Sequence, residues 1–145
     1  MAASRRIPKP ATLNLGMQML RMQQKHPQLN AQIRRGEITW IGPWLPEELC
    51  NTYLVKVRYK LNRRPQISII SPRLELAAGR TKLPHVYQGG QDDICIHSRE
   101  DWNASLLIAD TIMPWLSQWL YFYEVWAQTG HWHGKGTHPD RPEHN

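Results

Sequence analysis

The first regular spacing of apolar residues lies near the N-terminus, in ATLNLGMQMLRMQQKHP. Leu13, Met17 and Leu20 recur there at helical intervals, and Gln24 is the next position on the same face. Pro27 closes the segment because proline cannot continue a helix. The spacing predicts an amphipathic first helix whose methionines fill the core.

The middle of the chain alternates apolar and polar residues at period two, which predicts β-strands. Three segments show it: EITWIGPWLP, NTYLVKVRYKL and QISIISP. In the second, the apolar set is Tyr53, Val55, Val57 and Tyr59. Short connections between the segments favour an antiparallel meander.

Between residues 72 and 101 the regular pattern is lost. This stretch contains Gly79, Pro84, Gly89 and Gly90, and Cys95 lies near its end. A connection of about thirty residues is long for a passive link, and such segments are often functional.

Helical spacing resumes at Asn103, which we expect to cap a helix over ASLLIADTIM. Pro114 is expected to begin a further helix, PWLSQWLYFYEVWAQTG, and Gly130 to end it. Its predicted apolar face comprises Leu116, Trp119 or Leu120, Tyr123 and Trp126. The order of elements predicts an α+β fold: an N-terminal helix, a meander sheet covered on one face, an irregular segment and C-terminal helices.

Length and composition indicate a soluble globular protein. A chain of 145 residues supports one hydrophobic core, so we expect a flexible basic N-terminus, residues 1–10, and one domain, residues 11–145. The two cysteines lie far apart and the N-terminus does not resemble a signal peptide, which favours the cytoplasm. No apolar run approaches the roughly 18 residues that a membrane-spanning helix needs.

The net charge of +6 is unevenly spread: residues 1–82 carry +11 and residues 83–145 carry −5. A solvated basic face is the preferred interpretation, and docking of an acidic partner or a nucleic acid is the alternative. Basic residues such as Arg58, Lys60, Arg63 and Arg64 do not alternate with stacking aromatics, so a nucleic-acid groove is poorly supported.

Cys95 lies in GGQDDICIHSREDW, where it could be a reactive thiol or a small core residue. The nearby charges in sequence are Arg99 alone against Asp92, Asp93, Glu100 and Asp101. Negative charge disfavours a thiolate, which argues against a cysteine protease. Carriage of an already activated acyl group remains compatible with a less reactive thiol.

The stretch LPHVYQGGQDDICIHSREDW resembles the active-site region of ubiquitin-conjugating enzymes. In that family a His-Pro-Asn triplet precedes the catalytic cysteine, with its asparagine eight residues upstream, and a tryptophan follows the cysteine. Residues 85–87, Cys95 and Trp102 occupy these positions. The resemblance implies a ubiquitin-conjugating fold and a thioester-forming Cys95, with Tyr87 where the family's asparagine stabilises the oxyanion. It also implies that His85 orders the loop.

The short segment PRLELAAGRTKLP and the tail YEVWAQTGHWHGKGTHP resemble a bacterial branch of that family found in antiphage operons. The likeness extends from Ile38 to Pro139. These operons belong to cyclic-oligonucleotide-based antiphage signalling, CBASS, of type II. The resemblance implies that the chain couples to the C-terminus of a cGAS-like nucleotidyltransferase and so primes second-messenger synthesis.

Several further side chains are candidates around Cys95. His97 could act as a base or orient an amine, or be an exposed loop histidine. We expect His85, Trp102 and His138 to contribute to partner binding.

Other features of the sequence are assigned structural roles. We expect Trp132 and Pro139 to hold the tail against the domain, whereas Cys50 is expected to be structural. The tail histidines, which include His131, His133, His138 and His144, do not complete a familiar zinc spacing. Neither a metal nor another cofactor is indicated.

Three functions follow from these observations. The leading one is a transferase in which Cys95 forms a thioester with the partner's C-terminus, assisted by Tyr87 and His97. The second is a non-catalytic module of the same fold that binds the partner's tail. The third is a nucleic-acid-binding domain that uses the basic N-terminal half.

Overall fold

The computed structural model describes residues 11–98 and 100–134. The predicted flexible segment, residues 1–10, lies outside them. The elements are helix α1 (Leu15–Lys25), strands β1 (Asn30–Arg34), β2 (Glu37–Trp44), β3 (Tyr53–Lys60) and β4 (Gln66–Ser71), and helix α2 (Ile112–Thr129). Short 3₁₀ turns occupy Gly90–Asp92 and Ile108–Asp110. This confirms the α+β class.

The four strands form one antiparallel sheet in the order β1-β2-β3-β4, which confirms the meander. The sequence pattern missed β1 because all five of its residues are exposed and it has no buried face to mark. Arg35 and Gly36 form the tight β1–β2 turn, with φ of 52° and 75°. Two successive left-handed residues match the twist of a two-residue hairpin.

The inner face of the sheet carries the alternating residues that the sequence predicts. Tyr53, Val55, Val57 and Tyr59 are all buried, which confirms the pattern for β3. In β2, Gly42 lies so close to the Gln28 carbonyl that a Cβ there would collide with it. The chain preceding β1 can therefore pack directly on the sheet.

The predicted apolar face of α1 is wrong. Met17 and Leu20 are 47% and 50% exposed, whereas Gln18 and Met22 are completely buried. Asn14 caps the helix by accepting a hydrogen bond from the Met17 amide at 2.8 Å. Of the methionines, Met22 belongs to the core as expected, and Met17 does not.

Gln18 is buried because its side chain links α1 to the chain that leads into α2. Its Nε2 donates to the Leu106 carbonyl at 2.8 Å, and its Oε1 accepts from the Ile108 amide at 2.9 Å. Both main-chain groups would otherwise lack a partner inside the fold. A polar side chain thus occupies a position that the apolar spacing could not identify.

The helix predicted from Asn103 is also wrong. The Asn103 carboxamide oxygen accepts hydrogen bonds from the Ser105 amide and hydroxyl, so it closes a local turn. Between Asn103 and the start of α2, only the 3₁₀ turn Ile108–Asp110 is helical. Helix α2 begins at Ile112, so Pro114 is its third residue and not its first. Proline fits there because the first-turn amides have no partner within the helix.

The rest of α2 agrees with the prediction. Its buried face includes all the expected side chains, namely Leu116, Trp119, Leu120, Tyr123 and Trp126. Gly130 ends the helix in the left-handed conformation, with φ of 76°. In the part of the chain that the structure describes, neither helix has the length and apolarity needed to cross a bilayer.

The segment from Pro72 to Asp101 is irregular, as predicted, and its last third covers the free edge of β4. Three hydrogen bonds join them: Ile94 N to Ile67 O at 3.0 Å, Ser68 Oγ to Asp92 O at 2.7 Å, and Gln91 Nε2 to Ile69 O at 2.8 Å. Residues 91–94 are therefore held at a defined place beside the sheet, and Cys95 follows directly.

Candidate active site

Cys95 lies on a short antiparallel ladder formed by residues 85–87 and 93–95. The Cys95 amide donates to the His85 carbonyl and the Tyr87 amide donates to the Asp93 carbonyl, both at 2.9 Å. Tyr87 pairs with Asp93, and Cys95 is two residues from Asp93 on the same strand, so Tyr87 and Cys95 share one side of this ladder. The spacing of eight residues between them is thus a consequence of the hairpin register.

The opposite side of the ladder is apolar. Val86 and Ile94 form its central pair, with Ile94 2% exposed and Val86 packed against the core. Gly89 and Gly90 belong to the connecting turn, where Gly90 has φ of 63° and donates to the Tyr87 carbonyl at 2.9 Å. The two glycines therefore shape the loop, as the sequence predicts.

The Cys95 thiol is partly exposed and is not bonded to Cys50. It donates a weak hydrogen bond to the His97 carbonyl at 3.5 Å. Partial exposure gives a reactant access to the sulfur, which a fully buried core cysteine would not allow. The environment therefore suits a reactive role better than a packing role.

Cys50 has a different environment. Burial and the neighbouring Glu124 carboxylate raise the pKa of the Cys50 thiol to about 11. The thiol stays protonated at neutral pH and is a poor nucleophile. This agrees with the structural role expected for Cys50.

Tyr87 brings a neutral hydroxyl to Cys95. Burial, followed by the hydrogen bond with the Cys95 thiol, raises the pKa of Tyr87 to about 12. Arg64 opposes that rise because its positive charge favours a phenolate. At neutral pH the hydroxyl keeps its proton and can donate it in a hydrogen bond.

Arg64 reaches this site from the turn between β3 and β4. Its guanidinium carbon lies 3.9 Å from the centroid of the Tyr87 ring. Its two terminal nitrogens donate to the Asp93 carboxylate at 3.0 and 2.8 Å. The hydrogen bond with Asp93 raises the pKa of Arg64 above its already high value, so the group is always charged.

The count of charges near Cys95 in the sequence, which gives Arg99 as the one cation, does not include Arg64. Arg64 is close enough for its charge to interact with the Cys95 thiol, although it is 31 residues away in the chain. The Asp93 carboxylate forms an ion pair with Arg64, which offsets its negative charge. Arg99 itself lies outside the described residues. The negative charges near the Cys95 thiol are therefore partly balanced by the positive charge of Arg64.

An aromatic cleft of about 400 Å³ opens beside Cys95. It is lined by the ladder, the chain after it, one side of α2 and the chain that follows α2: His85, Cys95, Ile96, His97, Ser98, Asp101, Trp115, Gln118, Trp119, Phe122 and Trp132. The Trp119 indole donates to the His85 carbonyl at 3.1 Å, which fixes the ladder against α2.

Trp132 closes one end of the aromatic cleft. Its ring contacts Trp119, Phe122 and the His85 imidazole, with centroid distances of 5.5, 6.0 and 4.7 Å. This confirms that Trp132 holds the start of the tail against the domain. Pro139 and His138, also expected to act in the tail, lie outside the described residues.

His97 lies between this cleft and a second one. Its Nδ1 donates to the Ser98 carbonyl at 2.6 Å, which leaves the lone pair on Nε2 in the neutral ring. Asp101 lines the same aromatic cleft. Hydrogen bonds from the hydroxyl and amide of Ser98 hold the pKa of Asp101 below its usual range. An imidazole and a carboxylate thus line the same cleft as the thiol.

The second cleft, of about 770 Å³, lies on the other side of His97. Its walls comprise Asn62, Arg63, Arg64, Tyr87, His97, Trp102, Asn103 and Ala104. Trp102 is only 7% exposed, with its indole donating to the Thr111 hydroxyl at 3.1 Å. Its ring also packs edge-on against Tyr59. Trp102 is therefore mainly a core anchor that shows one edge to this cleft.

The tail histidines form no recognisable metal site in residues 11–98 and 100–134, where no group of three or more potential ligands converges. The rings of His131 and His133 are 6.4 Å apart. His138 and His144 lie outside the described residues.

The structure brings four predicted residues together, namely His85, Tyr87, Cys95 and His97. Sequence reasoning missed the role of Arg64, which it considered only as part of a basic surface. It also counted Asp93 only as a negative charge that disfavours a Cys95 thiolate. The linear sequence carries no signal for either contact, because both depend on the fold of the β3–β4 turn.

Comparison with known proteins adds one match. A family model described as type II CBASS E2 protein matches residues 18–139, which is most of the chain. No curated protein matches the chain.

Proposed function

The chain belongs to the family of type II CBASS E2 proteins, and on that premise we propose that Cys95 forms a thioester with the C-terminal residue of a partner protein. Membership of the family supports a role in CBASS antiphage signalling. The observation that carries the proposal is a partly exposed Cys95 that lines the aromatic cleft, with Tyr87, whose hydroxyl is neutral, on the same side of the ladder.

The proposed chemistry has two acyl-transfer steps. The Cys95 sulfur attacks the carbonyl carbon of an activated C-terminus, the bond to the leaving group breaks, and a thioester forms. An amine then attacks that carbonyl, the C–S bond breaks, the nitrogen loses a proton and the thiol is regenerated. Both steps pass through a tetrahedral oxyanion, which one well-placed donor can stabilise substantially.

Tyr87 supplies that donor in the proposal. Its hydroxyl is protonated at neutral pH because its pKa lies near 12. Its place in the sequence resembles that of the asparagine that acts in ubiquitin-conjugating enzymes. A phenol donates one hydrogen bond, so it can perform the same electrostatic task with a longer side chain.

His97 and Asp101 are placed to serve the acceptor amine. The free Nε2 of His97 can take the proton that the amine loses. The ionised Asp101 carboxylate lines the same aromatic cleft and attracts a cationic side chain such as lysine.

We further propose that the partner is a cGAS-like nucleotidyltransferase, which presents its C-terminal tail. The aromatic cleft has room for a few residues of an extended peptide, and His85 and Trp132 bound its end. In this arrangement the proposed roles of His85, Trp102 and His138 in partner binding remain predictions.

Intact-mass analysis of the chain purified after co-expression with the nucleotidyltransferase tests the proposal. Wild type should carry a thiol-sensitive adduct, Cys95→Ser a thiol-resistant ester and Cys95→Ala none. Cys50→Ser is the matched control and should retain the adduct. An adduct that persists in Cys95→Ala would contradict the transferase.

The presence of Tyr87 in place of asparagine motivates the second candidate, a non-catalytic module that holds the partner's tail beside Cys95. In that case Cys95→Ala should keep both its affinity for the nucleotidyltransferase and its protective activity against phage. Loss of protection with unchanged affinity would instead favour the enzyme.

A further inference from the structure

Two parts of the chain that are distant in sequence, the β3–β4 turn and the ladder, meet at one guanidinium. Arg64 comes from the β3–β4 turn, Asp93 from the strand of the ladder that carries Cys95, and Tyr87 from the opposite strand. Arg64 contacts both Asp93 and Tyr87, and these two residues are also linked directly, because the Asp93 carbonyl accepts a hydrogen bond from the Tyr87 amide. The three residues therefore form a closed unit beside the thiol.

From this geometry we infer that Arg64 is a positioning residue, which holds the Tyr87 ring in place on the side of the ladder that carries Cys95. The inference rests on the proposed function, since it assigns to Arg64 the placement of the oxyanion donor. Arg64 would act through Tyr87 and would not touch the reacting atoms itself.

The shape of the guanidinium explains how one side chain can do this. Its edge donates two parallel hydrogen bonds to Asp93, while its flat face covers the Tyr87 ring at 3.9 Å. A lysine ammonium is a point charge and cannot satisfy both the fork and the stacking contact. The geometry thus needs arginine, and not merely a positive charge.

Burial supports a lasting arrangement. The Asp93 side chain is 16% exposed and that of Arg64 is 38% exposed, so the ion pair is partly shielded by the Tyr87 ring. A two-point contact loses less conformational freedom per hydrogen bond than a single one. The guanidinium over its face restricts rotation of the Tyr87 ring.

The test uses a small acyl donor, the mercaptoethanesulfonate thioester of acetyl-glycyl-glycine, with the full chain. The Cys95 sulfur attacks the thioester carbonyl, the donor's C–S bond breaks, and mercaptoethanesulfonate leaves as a thiolate. Intact mass follows the acylated chain with time. Alkylation of Cys95 by iodoacetamide at the same pH is the reference reaction, because it passes through no oxyanion.

The measured quantity is the ratio of the acylation rate to the alkylation rate. Tyr87→Phe should lower this ratio roughly tenfold or more, as expected for loss of one oxyanion donor. Arg64→Met should lower it to a similar extent, and the double variant should be no slower than the slower single variant. Arg64→Lys should recover little, and Lys60→Met, which removes an exposed charge at the end of β3, should match wild type.

Two results would overturn the role of Arg64. The first is a ratio that is unchanged in Arg64→Met while Tyr87→Phe lowers it. The second is an additive loss in the double variant, which would mean that Arg64 acts independently of Tyr87. Asp93→Asn gives a second route to the same answer if Arg64→Met does not fold. Failure of wild-type Cys95 to become acylated would contradict the proposed function itself.

Discussion

Replacing Gln18 by alanine should destabilise the protein far more than replacing an exposed glutamine on the same short helix. Gln18 is completely buried, and its amide satisfies the Leu106 carbonyl and the Ile108 amide. The Gln18→Ala variant removes both partners at once. Gln23, an exposed glutamine on the same helix, provides the matched control Gln23→Ala.

The magnitude follows from the two orphaned groups. Each buried main-chain group left without a partner costs about 1–3 kcal/mol. Loss of one buried methylene adds about 0.8 kcal/mol. The terms are not fully additive, so we expect a loss of about 4 kcal/mol for Gln18→Ala. Gln23→Ala should change the free energy of unfolding by less than about 0.5 kcal/mol.

Urea unfolding at 25 °C measures both variants. With a denaturant slope of about 2 kcal/mol/M, a loss of 4 kcal/mol lowers the midpoint by about 2 M at constant slope. Gln18→Glu offers a second check, since its carboxylate would face the Leu106 carbonyl and the deficit should shrink at acidic pH. If Gln18→Ala unfolds within about 1 kcal/mol of Gln23→Ala, the two hydrogen bonds do not carry the stability assigned to them.

Two further changes test other contacts. Lys25 and Arg21 hold the pKa of Asp110 below its usual range. The stabilisation that these two ion pairs give the folded protein is present above about pH 4, and it disappears as the pH falls through the lower pKa of the folded state. Asp110→Asn should therefore lower the free energy of unfolding by on the order of 0.5–1 kcal/mol at pH 7 and by little at pH 2. An equal loss at both pH values in urea unfolding would show that the ion pairs are not its cause. At Gly134, a Cβ would lie 2.5 Å from the Phe122 ring and 2.9 Å from the Trp132 indole nitrogen, so Gly134→Ala should displace Trp132 and destabilise the protein by about 1–3 kcal/mol. Tryptophan emission should shift in this variant, and unchanged emission in Gly134→Ala would show that Trp132 is not held there.

The parts of the fold that the sequence predicts correctly are those in which burial alone decides the pattern. The alternation in β3 and the apolar face of α2 are both of this kind, since each packs one side against the core. The sequence pattern did not reveal β1, because this strand is held by its hairpin partner and none of its side chains is buried. Apolar spacing cannot reveal a strand that is stabilised only by main-chain pairing and a turn.

The errors in the helices have a different origin. Gln18 is buried because distant main-chain groups need its amide, so the inward face of α1 contains a polar residue. Asn103 bonds to Ser105 and closes a turn, a choice that a capping preference cannot distinguish from a helix start. In both cases tertiary hydrogen bonding decided the outcome.

The candidate site divides in the same way. Cys95, Tyr87 and His85 could be located in advance because they lie close together on one stretch of chain with a recognisable register. Arg64 could not, since it enters from the β3–β4 turn and its contacts exist only after folding. Charges counted along the sequence therefore misjudged the electrostatic surroundings of the thiol.

The segment that covers the edge of β4 leads directly into the candidate site, so it affects both that site and the tendency of the protein to aggregate. An open sheet edge is a template for pairing with another chain, and proteins usually protect it. Here residues 91–94 provide that protection through Ile67, Ser68 and Ile69. Changes that loosen the segment to alter reactivity at Cys95 would therefore also expose an aggregation-prone edge, so variants with a remodelled loop should be selected for solubility together with activity.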